Sequence, residues 1–158
     1  MWWCGYLTLS IPIKGATHHI HEHWTARVLT RHKSLMSTEP AFYAYPFDAP
    51  FSEAVRIGDT LYLSGHIGDD DDGKLAQGFD AEVAQMMANV TASLARFDLE
   101  LDALISIRVM LTDMSQLDRF HTLFAACFGD KPLPVCSAFG VTQLALDATV
   151  EIECVANL

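Results

Sequence analysis

Residues 131–158, KPLPVCSAFGVTQLALDATVEIECVANL, carry the pattern that decides the fold. Two β-rich runs flank a turn-like segment from Thr142 to Ala148. In the second run Val150, Ile152, Cys154 and Ala156 alternate with Glu151, Glu153 and Val155. In the first, Val135, Ser137, Phe139 and Val141 alternate with Cys136, Ala138 and Gly140. A period of two puts successive side chains on opposite faces of a sheet. Val150 and Ile152 are therefore expected on a buried face, with Glu151 and Glu153 on the other. Cys136 is expected opposite the Val135, Phe139 and Val141 set, on the face that carries Glu151. That carboxylate and that thiol are the first candidates for chemistry.

Upstream, residues 117–128 read as a helix with Leu117, Phe120, Phe124 and Cys127 as its buried stripe, closed by Gly129. Ser115-Gln116-Leu117-Asp118 resembles a capping box at its start. Before it, residues 104–111 alternate as a strand, with Ile105, Ile107, Val109 and Leu111 inward and Ser106, Arg108 and Met110 outward. Residues 80–97 form an amphipathic pattern in which Val83, Met86, Met87, Val90, Leu94 and Phe97 recur at spacings of three and four. The two methionines read as flexible core filling. Glu53–Ile57 and Thr60–Ser64 are short strands joined by the turn signal Gly58-Asp59, a hairpin. In the second of them Leu61 and Leu63 point one way while Tyr62, Ser64 and His66 point the other. Asp69–Asp72 followed by Gly73 is acidic but lacks the EF-hand spacing, so it reads as a solvated turn.

The order strand, strand, helix, strand, helix, strand, strand predicts a single α/β (α+β) domain: a mixed sheet with both helices packed on one face. The other face, with Tyr62, Cys136 and Glu151, has nothing left in the subunit to cover it. A half-apolar open face predicts self-association.

Residues 1–35 show no lasting periodicity. They carry Lys14, Arg27, Arg31 and Lys33 against Glu22 alone, a local +3 that leaves −13 on the remainder of a chain of net charge −10. They are expected to be a poorly ordered or artefactual extension before a domain of residues 36–158 that starts at Met36. His18, His19, His21 and His23 lack the acidic or cysteine partners of a closed ligand set, so no metal site is expected. The acidic balance of the chain argues against nucleic acid as a partner. No run approaches the roughly 20 apolar residues of a membrane span. Cys4, Cys127, Cys136 and Cys154 show neither CxxC nor zinc-ribbon spacing and read as reduced thiols of a cytoplasmic protein.

Five segments, in order and correctly spaced between Ala49 and Asn157, resemble the RidA (YjgF, or L-PSP endoribonuclease) family. Ala49-Pro50-Phe51-Ser52-Glu53-Ala54-Val55 is similar to its G-P-Y-S-Q-A-V opening, and Leu63-Ser64-Gly65-His66-Ile67 to its S-G-Q-I strand end. Leu111-Thr112-Asp113-Met114 resembles F-x-D-M/L, Pro134-Val135-Cys136-Ser137 stands where the family has P-A-R-S, and Val150–Ala156 resembles V-E-I-E-A-I-A. The resemblance implies a chorismate-mutase-like subunit, a homotrimer, and small-molecule clefts between subunits, with no cofactor. It also implies hydrolytic deamination of reactive imines and enamines. There an arginine holds the substrate carboxylate and a glutamate activates water.

On that scheme Glu151 and the Gly65 backbone are the expected catalytic groups, and Phe51, His66, Cys136 and His121 the expected substrate contacts. Cys136 replaces the arginine, and losing one charge-assisted contact costs on the order of 1.5–3 kcal/mol. Weak activity on 2-imino acids is the consequence. Cys136 could act as a nucleophile only if His66 or His121 lowered its pKa. The alternative to an enzyme is a trimer that binds a small metabolite without turning it over. A ribonuclease reading is disfavoured by the lack of a basic track.

Overall fold

A computed structural model describes residues 39–46 and 48–158. Met36, the histidine-rich segment and the rest of residues 1–35 lie outside the described residues.

Among the described residues six strands form one mixed sheet in the order β1-β2-β3-β6-β4-β5. They are β1 (Ala41–Ala44), β2 (Ser52–Ile57), β3 (Thr60–His66), β4 (Leu104–Leu111), β5 (Val135–Gly140) and β6 (Val150–Asn157). All neighbours are antiparallel except β4 and β5, which run parallel across the α2 connection. Gly58, at φ +59°, makes the β2–β3 turn in a conformation that costs other residues a steric clash.

Helices α1 (Phe79–Ala95) and α2 (Leu117–Ala126) pack on one face. Their apolar stripes close a core in which Val83, Met86, Val90, Leu94 and Phe120 meet Leu61, Ile107, Val109, Ile152 and Cys154. Burial of these side chains, each worth about 1.5–3 kcal/mol, is the main force that holds the layers together. The expected two-layer architecture is what the chain adopts.

Four details differ from the sequence reading. No Ser115 capping box forms: Asp113 caps the 3-10 turn Met114–Gln116 that leads into α2, its carboxylate accepting from the Ser115 N–H at 2.9 Å, and Gln116 at the α2 start makes no side-chain cap bond. Its stripe ends on Phe128, which is buried, while Cys127 faces outward. In β4 the pairing with β6 slips between Leu104 and Ser106, so Leu104 turns inward and Ile105 is exposed. In β3 the pairing with β6 slips between Leu63 and His66. A bulge inserts one residue and shifts the alternation by one, so His66 turns into the core beside the helices instead of joining Tyr62.

Among the described residues no element covers the sheet face away from the helices. Lateral partners share a face, and one row runs across all six strands: Phe42, Val55, Tyr62, Val155, Ser106 and Val135. Phe42 and Val135 are each 70% exposed, which is unusual for large apolar side chains in register.

Candidate functional site

Glu151 lies on this open face, next to Met110 of β4, and Phe139 of β5 follows in the same row. Its position is set from two sides. Behind it, Glu82 in the first turn of α1 is buried and anchors the start of β6. The Glu82 carboxylate accepts from the Thr149 N–H at 2.6 Å, the Thr149 hydroxyl at 2.6 Å and the Val150 N–H at 3.3 Å. In front, the β3 bulge presents Gly65. A Cβ on Gly65 would lie 2.0 Å from Glu151 Oε1. The glycine is there because the carboxyl rests where a side chain would be.

Partial burial raises the Glu151 pKa, and the neighbouring Glu153 raises it further. A carboxyl poised in this way exchanges protons nearer neutrality than an ordinary glutamate. Arg108 lies beside Glu153, with Nη1 3.5 Å from the carboxylate in an exposed pair worth little in free energy. A depression of about 150 Å³ opens on the same face between Tyr62, Ser106, Arg108, Glu153 and Val155. Small-molecule sites usually span about 300–1,000 Å³. The described residues offer a floor and no walls.

The remaining sequence candidates are not gathered around Glu151. Cys136 is a lateral partner of Ile107 in β4, so its side chain shares the helix side of the sheet and not the Glu151 face. The reason is register. β5 is an edge strand with apolar residues in both phases, and only its parallel pairing with β4 fixes which phase turns inward. Burial pushes the Cys136 thiol pKa up, away from a nucleophilic thiolate. His66, 4% exposed, has both ring nitrogens committed within the protein, to the Ser64 carbonyl and to the Ser93 hydroxyl, each at 2.8 Å. Both ring nitrogens are thus engaged on the helix side of the sheet, away from the Glu151 face. His121 is exposed on α2 against Phe120. Phe51 is exposed before β2 and stands edge-on to Tyr45, with ring centroids 5.6 Å apart.

Sequence reasoning missed Glu82, Glu53 and Arg96. Glu53 is 3% exposed and pairs with Arg96. For Glu82 a signal existed: the carboxylate stands four residues before Met86, on the helix stripe that faces the core. Among the described residues no group of three or more His, Cys, Asp or Glu converges as a metal ion requires. No described helix is long and apolar enough to cross a membrane.

Residues 44–158 match the profile of the family described as Endoribonuclease L-PSP. A RutC family protein of Drosophila melanogaster is 37% identical over 110 residues, 68% of this chain and 79% of that one. The chloroplastic Reactive Intermediate Deaminase A of Arabidopsis thaliana is 28% identical over 128 residues, 80% of this chain and 66% of that protein. The crystal structure of RidA from the Antarctic bacterium Psychrobacter sp. superposes with a TM-score of 0.67 at 30% identity, covering 71% of this chain and 91% of the other.

Proposed function

The chain belongs to the Endoribonuclease L-PSP family of the RidA/YjgF superfamily, and on that premise we propose that it hydrolyses a small imine or enamine to a carbonyl compound and ammonia. The observation that carries this reading is the Glu151 carboxyl, held over Gly65 on an uncovered sheet face with its pKa raised. As a carboxylate it takes a proton from water while the oxygen adds to the C=N carbon. As the acid so formed it returns that proton to the nitrogen, giving a carbinolamine. It then takes the carbinolamine hydroxyl proton and delivers it to the nitrogen as the C=O bond forms and the C–N bond breaks. Imine plus water gives carbonyl plus ammonia, and Glu151 ends as it began. An enamine enters the same path after tautomerising to its imine. A related protein that carries the name Reactive Intermediate Deaminase A supports this chemistry.

The site is shared between subunits of a cytoplasmic homotrimer. The apolar row across the open face supplies surface for that association, and a second copy supplies the walls that one subunit lacks. Cys136 and His121 lie on the helix side of the sheet and meet Glu151 only across such a seam. The charge on the face favours an uncharged or cationic substrate. Among the described residues on that face, Glu151 and Glu153 stand against the one cation Arg108, which is already turned to Glu153. Cys136 adds no charge to hold a carboxylate.

The test uses two imines made in place, with catalase present. A flavin-dependent amine oxidase supplies a neutral aldimine, and an amino acid oxidase supplies a 2-imino acid. Ammonia release from the aldimine should be accelerated, little changed for the 2-imino acid, and lost in Glu151→Gln. Strong acceleration on the 2-imino acid overturns the substrate preference. No acceleration on either, with a small molecule co-purifying by mass spectrometry, replaces catalysis with binding. A monomer in sedimentation removes the shared site.

A further inference from the structure

The polar chain behind Gly65 has no part in the chemistry above, yet it ends under the Glu151 carboxyl. It begins at Glu53 on β2, which pairs with Arg96 just beyond α1. Arg96 Nη2 also donates to Ser93 Oγ at 3.0 Å. The Ser93 hydroxyl contacts His66 Nε2 at 2.8 Å, and His66 Nδ1 contacts the Ser64 carbonyl at 2.8 Å. A carbonyl only accepts, so Nδ1 carries the proton. Burial lowers the His66 pKa and keeps the ring neutral, so Nε2 accepts from Ser93. Every link then has one donor and one acceptor. Ser64 is in turn tied to β2, its hydroxyl donating to the Ser52 carbonyl at 2.7 Å.

These bonds converge on the place where β3 slips against β6, between Leu63 and His66. A bulge residue has no ladder partner of its own, and its geometry depends on what else holds it. Here the holder is the imidazole. We propose that His66 is the positioning residue for Glu151: through the Ser64 carbonyl it fixes the β3 bulge that seats Gly65 beneath the Glu151 carboxyl. The inference rests on Glu151 being the working group, but it concerns where that group sits and not whether it turns anything over.

Its test therefore reads Glu151 directly, without substrate. Carboxyl carbons of ¹³C-glutamate in the full chain are titrated by NMR, with the Glu151 resonance assigned by its loss in Glu151→Gln. Wild type should titrate with its midpoint raised from the ordinary glutamate value. His66→Leu, which keeps bulk but removes both polar contacts, should move the midpoint down toward that value as the carboxyl leaves Gly65 for water. His66→Gln restores a donor and an acceptor and should move it back up. A general loss of stability would not reverse in this way. A folded His66→Leu with the wild-type midpoint overturns the proposal, as does a His66→Gln indistinguishable from it. Should His66→Leu not fold, Ser93→Ala takes its place, and an unmoved midpoint there overturns it equally. Absence of imine hydrolysis in wild type leaves these readings intact and counts only against the catalytic assignment.

Discussion

Gly65→Ala isolates the contact on which the site depends. The new methyl would stand 2.0 Å from Glu151 Oε1 and 3.0 Å from its carboxyl carbon. Non-bonded heavy atoms settle at about 3.5 Å, so the oxygen must retreat by about 1.5 Å. The atom in the way is the end of a flexible side chain, and Gly65 is not among the glycines with positive φ, so the backbone accepts alanine. The fold should lose only the cost of a displaced rotamer, about 0.5–1.5 kcal/mol in urea unfolding. Chemistry is far less tolerant. A misplacement of about 1 Å costs on the order of 100-fold in rate, or about 2.7 kcal/mol of transition-state stabilisation. Aldimine hydrolysis followed by ammonia release should therefore fall by about two orders of magnitude in kcat/KM in a protein that still unfolds cooperatively. The Glu151 midpoint should drop as the carboxyl reaches water. A folded Gly65→Ala with wild-type turnover and an unmoved midpoint would refute the idea that this glycine makes room for a working group.

Three further outcomes are expected. Glu151→Gln should abolish turnover and, at neutral pH, raise the melting temperature. The raised pKa of Glu151 means that the folded state favours its protonated form, so its contribution to stability is complete below the unfolded pKa and lost as pH rises through the folded one. The melting difference should thus vanish in acid; a variant less stable than wild type at pH 7 contradicts the sign. Glu82→Ala removes a buried carboxylate with three acceptor contacts to Thr149 and Val150. It should cost about 3 kcal/mol by urea denaturation, and a loss under about 1 kcal/mol would mean that β6 holds its start unaided. Val135→Glu places a charge at the end of the open apolar row and should shift sedimentation toward a monomer with an unchanged far-UV spectrum. An unshifted trimer would place the association elsewhere.

The layered architecture was legible because its decisive elements obey a single period from end to end. Val150, Ile152, Cys154 and Ala156 alternate without interruption, and all four are buried. The α1 stripe is equally regular. What escaped was every place where the period slips. The β3 bulge displaces His66 to the opposite face, and the β4 irregularity does the same to Ile105. A bulge leaves no mark in composition beyond, here, one glycine. Cys136 was misplaced for another reason: with small or apolar residues in both phases of β5, no alternation distinguishes the faces, and the answer lies in a partner strand 25 or more residues upstream. β1 passed unread because four residues at the sheet edge, two of them alanine, carry little pattern. Of the candidate site, Glu151 and Gly65 could be named from sequence, but their contact could not, because it spans β3 and β6.

The last of the six described strands lies in the middle of the sheet. β6 pairs with β3 on one side and β4 on the other, so during synthesis both of those neighbours must leave the ribosome with an unsatisfied edge and wait. Until Val150–Asn157 has emerged, the nascent chain holds two half-sheets with nothing between them, a state open to pairing with the wrong partner. A stop codon ahead of Val150 would thus do more than shorten the chain. It would remove the keystone strand together with Glu151, and a chain so shortened should be found in inclusion bodies and not as a weakened catalyst.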